Sequence, residues 1–293
     1  MDEPYQYCRD EFIDHTVYRE LARIEKNGQR KTVLQRLSDT ELEHYRYWSK
    51  HAGNYEPKVN HLRIAFVVVL SRLMGLTFTI KLLERHEEKT IQSYRKYLER
   101  LPEDDKVAVQ SIIEQEQEHE VYFVSQLNEG VVKYMGFIVL GLADAIVEIT
   151  GVHAGFLGVT NSTLMAGVAG LVVGLAAAIA MASASYLQAK HGLARNPLVS
   201  AITTGLAYIG AVALLALPYF LTHNMILAFS LSLAAAIFLT ASFTFYGAVL
   251  MDKRFWREFV ESLALVLGTA LLTYLFGGFL GSVFGIRGAV KIF

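Results

Sequence analysis

The sequence predicts an all-α chain in two parts: a charged four-helix bundle over residues 1–130, then a five-span helical membrane domain over 131–293. Three observations carry this. Of the 27 basic and 28 acidic residues, only 12 follow Lys133. The 22 glycines split the other way, with four before Lys133 and 18 after it, as expected where helices approach closely inside a bilayer. No stretch shows the strict apolar–polar alternation of a half-buried strand. The net charge of −1 argues against nucleic acid as a partner, and the single cysteine, Cys8, excludes an internal disulfide framework.

In the first part, a helix is expected over about 8–26, with Ile13, Val17, Leu21 and Ile24 on one stripe and Asn27-Gly28 as its C-cap. A second runs over about 31–53 and is closed by Gly53-Asn54 and Pro57. A third, longer helix ends before Pro102, and a fourth begins near Glu103. Residues 64–70 (IAFVVVL) are strongly apolar, but Arg63, Arg72 and Lys81 bracket runs too short to span, since a bilayer needs roughly twenty apolar residues. An amphipathic helix on the bundle or on the membrane surface is expected there.

Five apolar segments follow, at about 135–159, 162–188, 198–221, 225–251 and 259–285. The fourth helix of the bundle is expected to run unbroken into the first span, over 112–149. Lys190 and Arg195 lie in one short link and Lys253, Arg254 and Arg257 in another, while the opposite links hold no Lys or Arg. The positive-inside rule then places the N-terminal part in the cytoplasm and the C-terminus outside. The opening residues, MDEPYQYCRD, carry no signal-peptide pattern.

Two Glu-x-x-His pairs, Glu41/His44 and Glu116/His119, sit on separate helices, with Glu84 and Glu87 on the helix between them. A four-helix bundle builds a dinuclear carboxylate site from such parts. Carboxylates bridge two ions, and imidazole suits iron and manganese. The remaining helix offers Glu11 or Glu20; a helical wheel favours Glu20, which shares the apolar stripe. Glu114, Glu118 and Glu120 form either a further loading site or a solvated acidic face. His15, His51, His61 and His86 read as surface residues.

In the membrane part, Asp144 and Glu148 lie four apart on one face of the first span, with no basic residue in any span to neutralise them. Such groups face a bundle interior and mark an ion path. Gly170, Gly174, Ala178 and Ala182 form a close-packing ridge on the second span. Met181 and Ser185 lie on a neighbouring face, and a thioether is a soft metal ligand.

Over about 8–128 the chain resembles the rubrerythrin branch of the ferritin-like superfamily. The glutamate that precedes a tyrosine by seven residues, as Glu11 precedes Tyr18, selects Glu11 over Glu20. The implied ligands are Glu11, Glu41, His44, Glu84, Glu87, Glu116 and His119, around a dinuclear iron centre. No rubredoxin-like Cys-x-x-Cys is present. Over about 134–285, GLADAIVEITGVHAGF, AIAMASASYL, Asn196-Pro197 and TYLFGGFLG are similar to the vacuolar iron transporter family, although Ala180 and Ser185 replace a serine and a glutamate of its motif. That resemblance places Asp144 and Met181, with Glu148 beside them, on a metal path and implies a homodimer with the path at its interface. The fusion resembles the membrane-bound ferritin group. The expected function is export of ferrous iron, or manganese, across the cell membrane in exchange for protons, with the bundle capturing or sensing the metal. The alternative is a membrane-anchored di-iron oxidase, peroxidase or ferroxidase.

Overall fold

The structure, a computed structural model, describes residues 3–126, 130–160, 162–191 and 196–286 apart from residue 86, without the side chains of 84, 87–89, 104, 118–126 and 130–133. It is all-α and divides into two compact units, Met1–Glu129 and Gly130–Phe293.

The first unit contains α1 (Glu3–Ile24), α2 (Gly28–His51), α3 (His61–Met74), α4 (Leu76–Glu84), α5 (Glu87–Leu98) and α6 (Glu103–Gln126). α1 and α2 form an antiparallel hairpin. Asn27 serves α2 and not α1: its side chain accepts a hydrogen bond from Arg30 N at 3.1 Å, the N-cap role asparagine favours, and α1 stops at Ile24. Gly53 and Asn54 take positive φ of 65° and 58° beyond α2, as a helix stop requires. The long third helix expected from the sequence is broken into α3, α4 and α5. The first break is at Gly75, whose φ of 92° and ψ of 154° suit a residue without Cβ.

Two apolar clusters lie along the hairpin. One joins Ile13, Val17 and Leu21 of α1 to Val33, Leu34 and Leu37 of α2, with Ile64 and Val67 of α3 and Ile80 of α4. The other joins Tyr7, Cys8, Trp48, Tyr94, Val109, Ile112 and Ile113. Between them, Glu11 on α1 and Glu41 and His44 on α2 are buried but polar.

The second unit contains α7 (Gly130–Val159), α8 (Thr163–His191), α9 (Pro197–Leu221), α10 (Met225–Leu250) and α11 (Phe255–Val283). All five are long and apolar enough to cross a membrane, the first from Tyr134, which marks a multi-pass membrane protein. Whether α6 runs unbroken into α7 rests on 127–129, outside the described residues. Asn196 and Asn224 cap α9 and α10, accepting from Leu198 N and Leu227 N at 3.0 Å each. α7 packs against all four other helices of the unit. Its approach to α11 depends on missing side chains: a Cβ on Gly277 would fall on the Gly155 carbonyl. On α8, Gly174 takes Val212 of α9, so the small-residue ridge is a packing surface.

Candidate metal centre

Between the two apolar clusters, Glu11 of α1, Glu41 and His44 of α2, and Glu116 of α6 come together. Each offers one ligand atom, and these atoms all lie within 4.8 Å of one another. All four side chains are buried. The i, i+3 spacing of Glu41 and His44 puts both on the face of α2 that meets α1. His44 Nδ1 is 2.8 Å from Glu116 Oε1, 3.5 Å from Glu41 Oε2 and 3.7 Å from Glu11 Oε2. On the other side of the ring, Nε2–H donates to Gln115 Oε1 at 2.8 Å. That bond fixes the tautomer, so in the neutral imidazole the Nδ1 lone pair faces three carboxylates.

Such a set cannot stay buried and fully ionised alone. Burial disfavours a charged His44, but hydrogen bonds to Glu11, Glu116 and Glu41 outweigh it and raise its pKa far above the ordinary value. Burial, then the charge of Glu116, push Glu41 well up. Burial and the Glu11 charge raise Glu116 against the pull of His44. Burial opposes the Glu11 charge too, but His44 overcomes it and lowers the Glu11 pKa. Without a metal, then, protons must supply the positive charge. The donor set of three carboxylates and one imidazole suits iron or manganese. A cavity of about 20 Å³ lined by Asp10, Glu11, Asp14, Glu41, Thr90 and Glu116 adjoins it.

Glu20, which the wheel favoured, lies away from the cluster and pairs with Arg23 at 3.4 Å. The wheel failed because α1 buries most of its circumference, from Thr16 and Ile13 through Leu21 and Glu11 round to Cys8, and no single stripe marks its inner face. The side chains of Glu84, Glu87 and His119, and of Glu118 and Glu120, lie outside the described residues. Glu114 is exposed and bonds Gln110 at 2.9 Å. His15, read as a surface residue, is buried, with its Nδ1 2.6 Å from Ser38 O.

Three neighbours of the centre escaped the sequence reading. Tyr94 donates its hydroxyl to Glu11; it follows Glu87 by two helical turns, a spacing that could have revealed it. Gln115 carries no pattern that marks it. Asp14 lies one turn after Glu11, and burial together with the Glu11 charge raises its pKa well above the ordinary range, against Arg63.

In the second unit, Glu148 of α7 accepts a hydrogen bond from Tyr208 of α9. Asp144, one turn earlier, is exposed on the surface of the unit. Met181 of α8 packs against the buried cluster containing Ala145, Ile146, Ile149 and Tyr208. His153 was overlooked, although an ionisable group inside a span is itself a signal. Ser232 donates to Leu215 O at 2.8 Å, so it can only accept from His153 Nδ1, 3.4 Å away. The Nε2 lone pair is therefore buried against Gly170, with no hydrogen-bond partner among the described residues.

Fold and site define an all-α protein with a buried Glu/His centre in a helical bundle, followed by five membrane-type helices. Residues 7–126 match the rubrerythrin family, and the buried cluster is consistent with the di-metal site of that domain. Comparisons with curated proteins and with solved structures gave no match.

Proposed function

We propose that the protein moves ferrous iron, or manganese, across the cell membrane out of the cytoplasm in exchange for protons, with the N-terminal unit capturing or sensing the metal. The observation that carries this reading is a buried carboxylate–imidazole cluster on the same chain as five apolar helices, the first of which carries two carboxylates. An anchor needs neither Asp144 nor Glu148. Glu11, Glu41, His44 and Glu116, joined by Glu84, Glu87 and His119, would hold a dinuclear centre. When bound, the metal would supply the positive charge that protons otherwise provide. Asp144, Glu148 and Met181 would carry the cargo ion, and a carboxylate that releases a cation within the membrane is neutralised most readily by a proton.

The exposure of Asp144 supports a homodimer. A carboxylate facing lipid near mid-bilayer costs about 2.5–3.5 kcal/mol on an insertion scale, and a second copy covering that face would enclose the path. The charge of the short links supports a cytoplasmic N-terminal unit and an outside C-terminus. Domain limits of 1–130 and 131–293, with the site wholly in the first and the path wholly in the second, belong to this reading.

A second reading, a membrane-anchored di-iron oxidase, peroxidase or ferroxidase, is favoured by Tyr94. A phenol bonded to a ligand carboxylate can hold or give up a proton beside the metals, which simple capture does not need. Ferrous uptake into proteoliposomes, run beside oxygen consumption by the same preparation, separates the two. Uptake without oxygen consumption supports transport; the reverse supports the oxidase.

A further inference from the structure

The first unit shows seven exposed large apolar side chains among its described residues, and four of them are on α3: Leu62, Phe66, Val69 and Leu73, at 82, 66, 52 and 77% exposure. Their spacing of four, three and four residues places them within about 60° of one another around the helix, at about 100° per residue. The opposite face holds Ile64 and Val67, which are buried in the bundle core. α3 is therefore apolar on two sides. One side is used by the fold, and among the described residues the other is left exposed.

Arg63 and Arg72 flank the exposed stripe, each at about 90° from its centre on opposite sides. Both are exposed, as is Lys58 just before the helix. α3 contains no acidic residue. An apolar stripe bordered by basic side chains is the pattern of a helix lying in a lipid interface, where long basic side chains reach up to the headgroups. A second copy of the bundle fits this face poorly. A two-fold contact sets a patch against itself, bringing the arginines of one α3 onto those of the other, and α3 itself supplies no carboxylate to pair with them. The chain passes from Gln126 at the end of α6 to Tyr134 at the start of the first span, so a bilayer surface is always within reach of this unit.

We propose that the Leu62–Phe66–Val69–Leu73 face of α3 docks on the surface of a membrane rich in anionic lipid, with Arg63 and Arg72 at the headgroups. This rests on α7–α11 spanning the membrane and not on transport. Docking would orient the first unit on the bilayer and remove a stripe that otherwise invites aggregation.

The test uses the full chain in vesicles of phosphatidylcholine with a third phosphatidylglycerol. Cys8 is fully buried, so a single introduced cysteine carries the fluorescent label: Phe66→Cys or Leu73→Cys on the stripe, Lys50→Cys as an exposed polar control, and Leu271→Cys on the surface of α11. Quenching by nitroxide-bearing lipid is compared with quenching by aqueous iodide. Docking requires the labels at 66 and 73 to be quenched by the lipid and shielded from iodide, and the Lys50→Cys label to show the reverse. Added Arg63→Glu and Arg72→Glu should reduce the lipid quenching, as should phosphatidylcholine alone. Labels at 66 and 73 open to iodide, or shielded from both quenchers as in a protein–protein contact, overturn the proposal. With the Leu271→Cys label still quenched by lipid, that failure leaves the membrane reading intact; without it, both fall.

Discussion

The hydroxyl of Tyr94 donates a hydrogen bond to the Glu11 carboxylate inside the bundle. The tyrosine ring belongs to an aromatic cluster, stacked on Trp48 at 5.1 Å and meeting Tyr7 edge-on at 4.6 Å. α5 therefore fixes the orientation of a carboxylate on α1. Tyr94→Phe keeps the packing and leaves Glu11 short of one donor, which costs about 1–3 kcal/mol where the group is buried. The metal-free protein should melt earlier by that measure. The loss should shrink when metal is bound and takes over the freed oxygen. Thermal melts with and without ferrous or manganous ion check this; an equal loss in both states removes the link between Tyr94 and the metal.

The metal-free centre should lose stability as pH rises. His44 is held protonated far above its ordinary range. From about pH 6.5 upward, where the unfolded imidazole loses its proton, folding must take one up, and stability falls by up to about 1.4 kcal/mol per pH unit. Glu41 and Glu116, also raised, act in the same direction from above the ordinary carboxylate range. Glu11, which is lowered, weakens the fold only as the solution becomes acid. Metal binding runs the opposite way, since its ligands must shed protons. Melts at pH 6 and pH 8 should show the metal-free midpoint falling and the metal-induced increment growing. A metal-free midpoint higher at pH 8 would contradict this account of the cluster.

Glu116→Gln and Glu41→Gln should each strongly weaken iron binding, because each removes a buried anionic donor while keeping its shape. Glu114→Gln, on an exposed side chain, should leave binding unchanged. Iron content after desalting, measured on the full chain, decides this. Equal content in all three variants would take the metal away from this cluster.

The fold class was readable because composition divides the chain so sharply: charge ends near Lys133 where glycine begins to rise. The pairing of Glu41 with His44 was readable for the same physical reason that makes it work, since i, i+3 residues share a helix face. What the sequence hid depended on close packing and backbone geometry. Gly75 looks like any glycine until its φ shows that it ends a helix. Asn27 has the same chemistry whether it closes α1 or opens α2. Tyr94 and His153 carried a weak signal in spacing and position, but their partners, Glu11 on α1, Gly170 on α8 and Ser232 on α10, come only from the packing.

His153 and Gly170 should prove energetically coupled. A Cβ on Gly170 would fall on His153 Nε2, and the ring is fully buried with its Nδ1 at Ser232, so it cannot turn away at low cost. Gly170→Ala should therefore destabilise the second unit by about 1–3 kcal/mol, the usual penalty for overpacking. His153→Ala opens the space, and in that background the same substitution should cost much less. A double-mutant cycle on detergent-solubilised protein measures the coupling; additive effects would mean that α7 and α8 do not meet there.

The path itself is tested at Asp144. The flanking Ala145 and Ile146 are fully buried, while Asp144 is exposed on the same helix. An ionised carboxylate on an apolar span persists only where a cation, water or a covering subunit reaches it. Asp144→Asn keeps shape and membrane insertion but removes the charge. It should stop ferrous uptake into proteoliposomes while iron remains bound to the N-terminal cluster, which lies in a separate unit. Met181→Leu preserves packing against the Ala145–Tyr208 cluster at little cost in stability, and should slow uptake because the soft ligand is gone. Glu148→Gln keeps an acceptor for the Tyr208 hydroxyl and should chiefly flatten the dependence of uptake on an imposed pH gradient. If Asp144→Asn transports at the unmutated rate, the acidic path is wrong. The second unit is then an anchor, and oxygen consumption by the first becomes the function to pursue.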